Sequence, residues 1–197
     1  MSTVFIGGSR RLGRLNDIIR ERLNNIVESD LRVVIGDANG GDRAVQAFLA
    51  EKDHRNVVVY CMGNACRNNL GGWPVRMVKA AGERGFSYYS LKDAEMARDA
   101  DCGFMIWDAK SKGTLVNIWR LIESQKPAVV YFAPDRVCRN LKTKADLMAL
   151  LGKCMPSDRQ HLLELLGETS EQMRLFPSDD ARLVDKRSQR TMRTRQR

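Results

Sequence analysis

The chain has 197 residues, 43% of them hydrophobic, and a formal charge of +9 at pH 7. That length suits one α/β domain with an appendage, whose core needs no metal or disulfide staple. No apolar stretch reaches the roughly 18 residues of a membrane span. Met1-Ser2-Thr3 runs straight into a strand, with no basic leader before it. A cytoplasmic protein without a membrane partner is expected.

The five cysteines, Cys61, Cys66, Cys102, Cys138 and Cys154, are odd in number and scattered. They read as reduced thiols rather than a disulfide framework. His54 and His161 stand far apart, so no metal site and no cofactor is expected. The charge is concentrated at one end. Arg182–Arg197 holds seven basic residues against Asp185, a local +6 that leaves +3 for the other 181 residues. With almost no apolar groups, residues 177–197 read as a disordered basic tail that can take nucleic acid by counterion release. A solvated terminus explains the same residues.

Taken in chain order, the first strand is Thr3–Ile6, followed by a helix with Leu12, Leu15, Ile19, Leu23 and Ile26 on one face. The second strand is Leu31–Ile35, and a helix over 42–52 presents Val45, Phe48 and Leu49. Asn56–Cys61 is the third strand, and a polar loop runs from Met62 to Pro74. A helix over 91–100 precedes the fourth strand, Gly103–Trp107. The next helix starts near Thr114, and Ala128–Phe132 is the fifth strand. Lys142–Leu151 and Ser157–Leu166 read as two leucine-rich helices that cover the sheet edge or join a second copy in a homo-oligomer.

Near-continuous apolar strands alternating with helices predict a Rossmann-like, doubly wound parallel α/β sheet of five strands in the order 3-2-1-4-5. The expected organisation is a ligand-binding domain over 1–135, a helical appendage over 136–176, and the tail. Ligands bind such sheets at the carboxyl ends of strands beside the reversal, here the first and fourth. Those strands end in Gly7-Gly8-Ser9-Arg10 and in the turn before Ser111-Lys112-Gly113-Thr114. A glycine-rich turn opening a helix presents free amides and a positive dipole end to phosphate. The two turns should face one crevice.

Gly8 and Gly13 have Walker A spacing, but no Lys-Ser/Thr follows, so triphosphate hydrolysis of that type is not expected. The spaced dinucleotide fingerprint is missing as well. After the second strand, Asp37 is placed to accept from ribose hydroxyls. In Gly40-Gly41-Asp42-Arg43, Asp42 either joins the site or caps the second helix and pairs with Arg43. Thr114 serves as a ligand contact or as a helix N-cap. In the long loop, Arg67 is offered to a phosphate, Asn68 or Asn69 to a base edge and Trp73 to a ring. Trp73 before Pro74 is equally a plug over the core.

On these motifs (Gly7–Arg10, the Gly-Gly-Asp-Arg over 40–43, and Lys112-Gly113-Thr114) residues 1–135 resemble the SLOG superfamily. That Rossmann-like group includes the DprA (Smf) fold, the LOG phosphoribohydrolases and YspA-type proteins. The resemblance implies a nucleotide-related ligand. It also implies a glutamate shortly after the Gly-Thr in hydrolase members, where this chain has Asn117. The segment over 93–101 is similar to a helix of deoxynucleoside 5′-monophosphate N-hydrolases, in which an aspartate at the position of Asp93 takes part in catalysis.

The leading expectation is a binding module, a sensor or carrier of a nucleotide-like small molecule. A nucleoside-phosphate N-glycosidase using Asp93, Glu95 or Asp42 is the second reading, and a DprA-like nucleic-acid-binding protein the third.

Overall fold

The computed structural model describes residues 2–79 and 86–175; the basic tail expected over 177–197 lies outside them. The β-branched runs form β1 (Thr3–Gly8), β2 (Arg32–Gly36), β3 (Val57–Met62), β4 (Val75–Val78), β5 (Cys102–Trp107), β6 (Ala128–Phe132) and β7 (Val137–Leu141). The helices are α1 (Asp17–Glu28), α2 (Gly41–Glu51), α3 (Phe86–Asp99), α4 (Lys112–Glu123), α5 (Lys144–Leu151) and α6 (Pro156–Leu175).

The strands form one sheet in the order β4-β3-β2-β1-β5-β6-β7. Every pairing is parallel except β6 with β7. Seven strands therefore replace the five expected. The expected strands fill the middle of the sheet, and β4 and β7 extend its two sides. Both additions escaped the sequence pattern for a physical reason. Three of the four residues of β4 are exposed, and only Leu141 of β7 is buried, so neither shows an apolar run.

Helices cover both faces, as the apolar strands require. Val4, Ile6, Val33 and Ile35 point to one side and pack with Ile19, Leu23, Val45, Phe48 and Leu49 of α1 and α2. Phe5, Val34, Met105 and Trp107 point to the other, with Met96 of α3 and Leu115, Ile118 and Leu121 of α4. Five leucines of the last two helices, Leu147, Leu150, Leu151, Leu162 and Leu166, are buried in that second cluster, while Leu163 is exposed. They cover the fold from within the chain. Thr143 and Asp146 start α5 with a reciprocal capping box, satisfying two end amides at once.

Helix starts shift in three places. Asn16 caps α1 by accepting from the Ile19 amide at 3.1 Å, so Leu12 and Leu15 lie before the helix. Ser111, not Thr114, caps α4. The third helix begins at Phe86 rather than near Leu91.

One expectation about the thiols is overturned. Cys61, at the end of β3, and Cys66, in the following turn, are joined by a disulfide. The turn over Gly63–Ala65 folds straight back and brings their Cα atoms to 5.2 Å. Cys102, Cys138 and Cys154 are free thiols. Among the described residues no helix is long and apolar enough to cross a membrane, and no three His, Cys, Asp or Glu side chains cluster to hold a metal ion.

Candidate nucleotide site

The turns after β1 and β5 meet. Ser9 is fully buried, and its hydroxyl donates to Asp108 Oδ1 at 2.9 Å and lies 3.5 Å from the Thr114 hydroxyl. Asp108 Oδ1 also accepts the amides of Lys110 at 3.0 Å and Ser111 at 2.7 Å. This is an Asx-type turn, in which a short carboxylate organises the backbone just after it. Ser9 and Thr114 are therefore structural stitches inside the site. Asp108, which the sequence reading passed over, holds the turn at the start of α4.

The second glycine turn clamps the first. Gly40 has φ 82°, a left-handed conformation that favours glycine, and a side chain there would run into the Arg10 carbonyl. Gly41 packs on Gly8, where an added Cβ would stand 2.8 Å from the Gly8 Cα. Asp42 then accepts from the Gly8 amide at 3.3 Å and the Ala38 amide at 3.2 Å. Neither the expected cap of α2 nor the Asp42–Arg43 pair forms; the carboxylate ties the β1 turn to α2 instead.

Above these turns, between α3 and α4, lies a cavity of about 570 Å³. Seven basic side chains line it (Arg10, Arg11, Arg67, Lys92, Lys110, Lys112, Arg120) against three carboxylates, Asp42, Asp93 and Asp108. Their distribution separates floor from mouth.

The floor is a network of paired charges. Lys92 is buried and donates to Asp93 Oδ1 at 2.8 Å. Gly36 leaves room for it: a Cβ there would stand 2.6 Å from Asp42 Oδ2 and 2.7 Å from Lys92 Nζ. Burial pushes the Asp42 carboxyl up to about 6, against the pull of Lys92. Burial works against the Lys92 ammonium, but Asp93, Asp42 and Asp37 outweigh it and hold its pKa above the ordinary value. Asn117 donates to Asp93 Oδ2 at 3.2 Å and accepts from Arg120 at 3.3 Å. Arg120 also donates to the Ser90 hydroxyl, so both of its hydrogen-bond partners are neutral.

The mouth is cationic. Arg10, Arg11 and Lys112 have no carboxylate partner among the described residues. The first amides of α4, those of Lys112 and Gly113, have no protein acceptor among them either, while those of Thr114 and Leu115 bond back to Ser111. One side wall is Arg67, which grips Asp37 with its guanidinium at 2.6 and 3.0 Å and its backbone amide at 3.1 Å. It lies 4.9 Å from the centre of the Tyr89 ring, which Arg10 also approaches at 5.8 Å, both within cation–π reach.

Of the residues singled out in the sequence, Gly7, Gly8, Arg10, Asp42, Arg67, Asp93, Ser111, Lys112, Gly113, Thr114 and Asn117 line this cavity. Others do not reach it. Asp37 is buried behind Arg67, whose hydrogen bonds and charge hold its carboxyl below the usual range despite burial. Gly40 and Gly41 act from below, and Asn68 donates to Asp37 O and Asn39 Oδ1. Glu95 pairs with Arg76 at 3.0 Å outside the cavity. Trp73 is the core plug: buried, with its indole donating to His54 O at 2.9 Å.

Lys92, Tyr89, Asp108, Arg11 and Arg120 line the cavity but were not foreseen. Two of them had a readable signal. Asp108 directly follows a strand and precedes a small polar turn, and Arg120 lies three residues beyond Asn117 on one helix face.

No family model matches this chain, and no curated protein matches it. Among solved structures it is similar to DNA processing protein A from Helicobacter pylori, studied for its single-stranded DNA binding mode. The two share 15% identity with a TM-score of 0.54, over 85% of this chain and 81% of that one. At that identity the likeness is one of fold: an α/β architecture with a mostly parallel sheet.

Proposed function

We propose that the cavity between α3 and α4 binds the phosphate of a nucleotide-like ligand at its mouth, and that the ligand is held rather than cleaved. The observation that carries this is the meeting of two free amides at the start of α4 with Arg10, Arg11 and Lys112, none of which has a carboxylate partner among the described residues. Backbone amides, a helix dipole and unpaired cations together are what a phosphate dianion needs. A volume of about 570 Å³ accommodates a nucleotide-sized ligand. These grounds, and the glycine-rich turns, support the resemblance of residues 1–135 to the SLOG superfamily.

The floor supports binding without turnover. Glycosidic cleavage generally uses a carboxylate at the anomeric carbon. Asn117 is an amide, and Asp93 is occupied by Lys92 and Asn117. Calorimetric titration with nucleoside monophosphates tests the reading. Arg10→Ala and Lys112→Ala should each weaken binding by about 1–3 kcal/mol and leave the fold intact. Parent-like affinity in both variants would remove the mouth from the site. Release of free base, lost in Asp93→Asn, would turn the sensor into a hydrolase.

A second reading has one observation in its favour. The similar fold from Helicobacter pylori belongs to a protein that binds single-stranded DNA, and the same cationic mouth would accept a nucleotide that is part of a strand.

A further inference from the structure

The cavity holds one cation that the phosphate at its mouth does not use. Arg120 lines it from α4, eight residues beyond Lys112. Helical side chains lean back toward the N-terminus, and Arg120 donates from Nη1 to Asn117 Oδ1, one turn back, at 3.3 Å. Its guanidinium therefore lies near the level of Asn117, about 7.5 Å along the helix axis from Lys112. Phe5, Met96 and Val116 add apolar surface to the lining.

Arg120 is oriented without being neutralised. Nη1 gives to Asn117, and Nη2 gives to the Ser90 hydroxyl of α3. No carboxylate among the described residues pairs with it. Asp93 acts on it across Asn117, yet burial holds its pKa below the ordinary value. A guanidinium has five N–H donors in one plane. Two are used here, and the rest of the fork is left for an acceptor in the cavity.

We infer that Arg120 reads the base of the bound nucleotide and selects a 6-keto purine, the class of guanine and hypoxanthine, over adenine. The inference rests on the phosphate-binding reading of the mouth and adds a base preference to the same site. With the phosphate on the Lys112 and Gly113 amides, the level of Asn117 lies about one nucleoside length away. A 6-keto purine presents two neighbouring acceptors, O6 and N7, and an arginine fork meets both at once. Adenine carries an amino group in place of O6. Arginine has no acceptor to offer it, so that amino group would be desolvated and left unpaired. Cytosine fails in the same way, and uracil offers a single carbonyl.

The test uses the full chain and calorimetry, with guanosine monophosphate, adenosine monophosphate, ribose 5-phosphate and guanosine as probes. The parent should bind guanosine monophosphate at least about tenfold more tightly than adenosine monophosphate. Arg120→Gln should abolish that preference, because glutamine suits the N6 and N7 pair of adenine instead. Its affinity for ribose 5-phosphate should equal that of the parent. A measurement on the parent alone needs no variant to fold. The 7-deaza analogue of guanosine monophosphate lacks the N7 acceptor and should bind about fivefold more weakly.

Equal affinity of the parent for the two purine monophosphates would overturn the inference, as would full affinity for the 7-deaza analogue. An equal loss of ribose 5-phosphate and nucleotide in Arg120→Gln would also overturn it, since the fork would then hold a phosphate. The two readings fail separately. A parent that binds both monophosphates and ribose 5-phosphate alike removes the base reading alone. A parent that ignores ribose 5-phosphate, yet binds guanosine as tightly as its monophosphate and loses it in Arg120→Gln, removes the mouth reading alone.

Discussion

The Asp42 carboxyl is buried, bonded to two backbone amides, and raised from an ordinary 3.8 to about 6. Its folded pKa exceeds its unfolded one, so the folded state binds this proton more tightly. The Asp42 contribution to stability therefore grows as pH falls from about 6 toward 4, and it is unfavourable above that window. Carboxyl-carbon NMR should place the midpoint near 6, and a midpoint near 4 would show the side chain to be solvated. Trp73 makes a contrasting case. Trp73→Phe removes the indole bond to His54 O and should cost about 1–2 kcal/mol in urea unfolding. Nucleotide affinity should not change, because the ring is a plug and not a platform. Residues of this kind were legible in the sequence to different degrees. Arg10, Lys112 and Asn117 sit at fixed offsets from strand ends, so their position could be read. Lys92 could not: Lys-Asp on a helix looks like any solvated pair, and only the packing of α3 over Gly36 makes it the centre of a charge network.

At the scale of elements, β1 and β5 are joined at their tips through the Asp108 turn. Asp108→Ala strips the acceptor from two backbone amides and from the Ser9 hydroxyl. It should lower stability by about 1–3 kcal/mol and also weaken nucleotide binding, because the Ser111–Thr114 turn loses its anchor. Urea titration paired with calorimetry checks both; a loss of stability with parent-like binding would uncouple the turn from the site. On the β3 side, the Cys61–Cys66 bridge fixes the residue next to Arg67. Reducing it should speed hydrogen exchange at the Arg67 amide, which donates to Asp37, while β3 itself keeps its protection. Equal exchange in the two redox states would show that the Asp37 pair alone holds this wall. The central strands were readable because apolar runs of five or six residues report burial on both faces. The outer strands were not, since an edge residue faces solvent and carries no such mark.

For the molecule as a whole, the order of the sheet decides where charge collects. Strands β1 and β5 are neighbours although 93 residues of chain separate Gly8 from Cys102 in the sequence rows, and their adjacency brings the cationic turns together. The reversal beside β1 was the part of the architecture most open to inference, because it follows from the handedness of crossovers and not from any one residue. The bond between Ser9 and Asp108 has a further consequence, in the order of assembly. It links residues 99 positions apart, and Ser9 and Thr114 lie 105 apart. Contacts at such separation close only after the intervening chain has surrendered its loop entropy. During synthesis, α1, α2 and the first three strands leave the ribosome long before β5 exists. The cationic mouth is thus among the last parts of the fold to form, and a chain stopped before Asp108 lacks the half of it that α4 supplies.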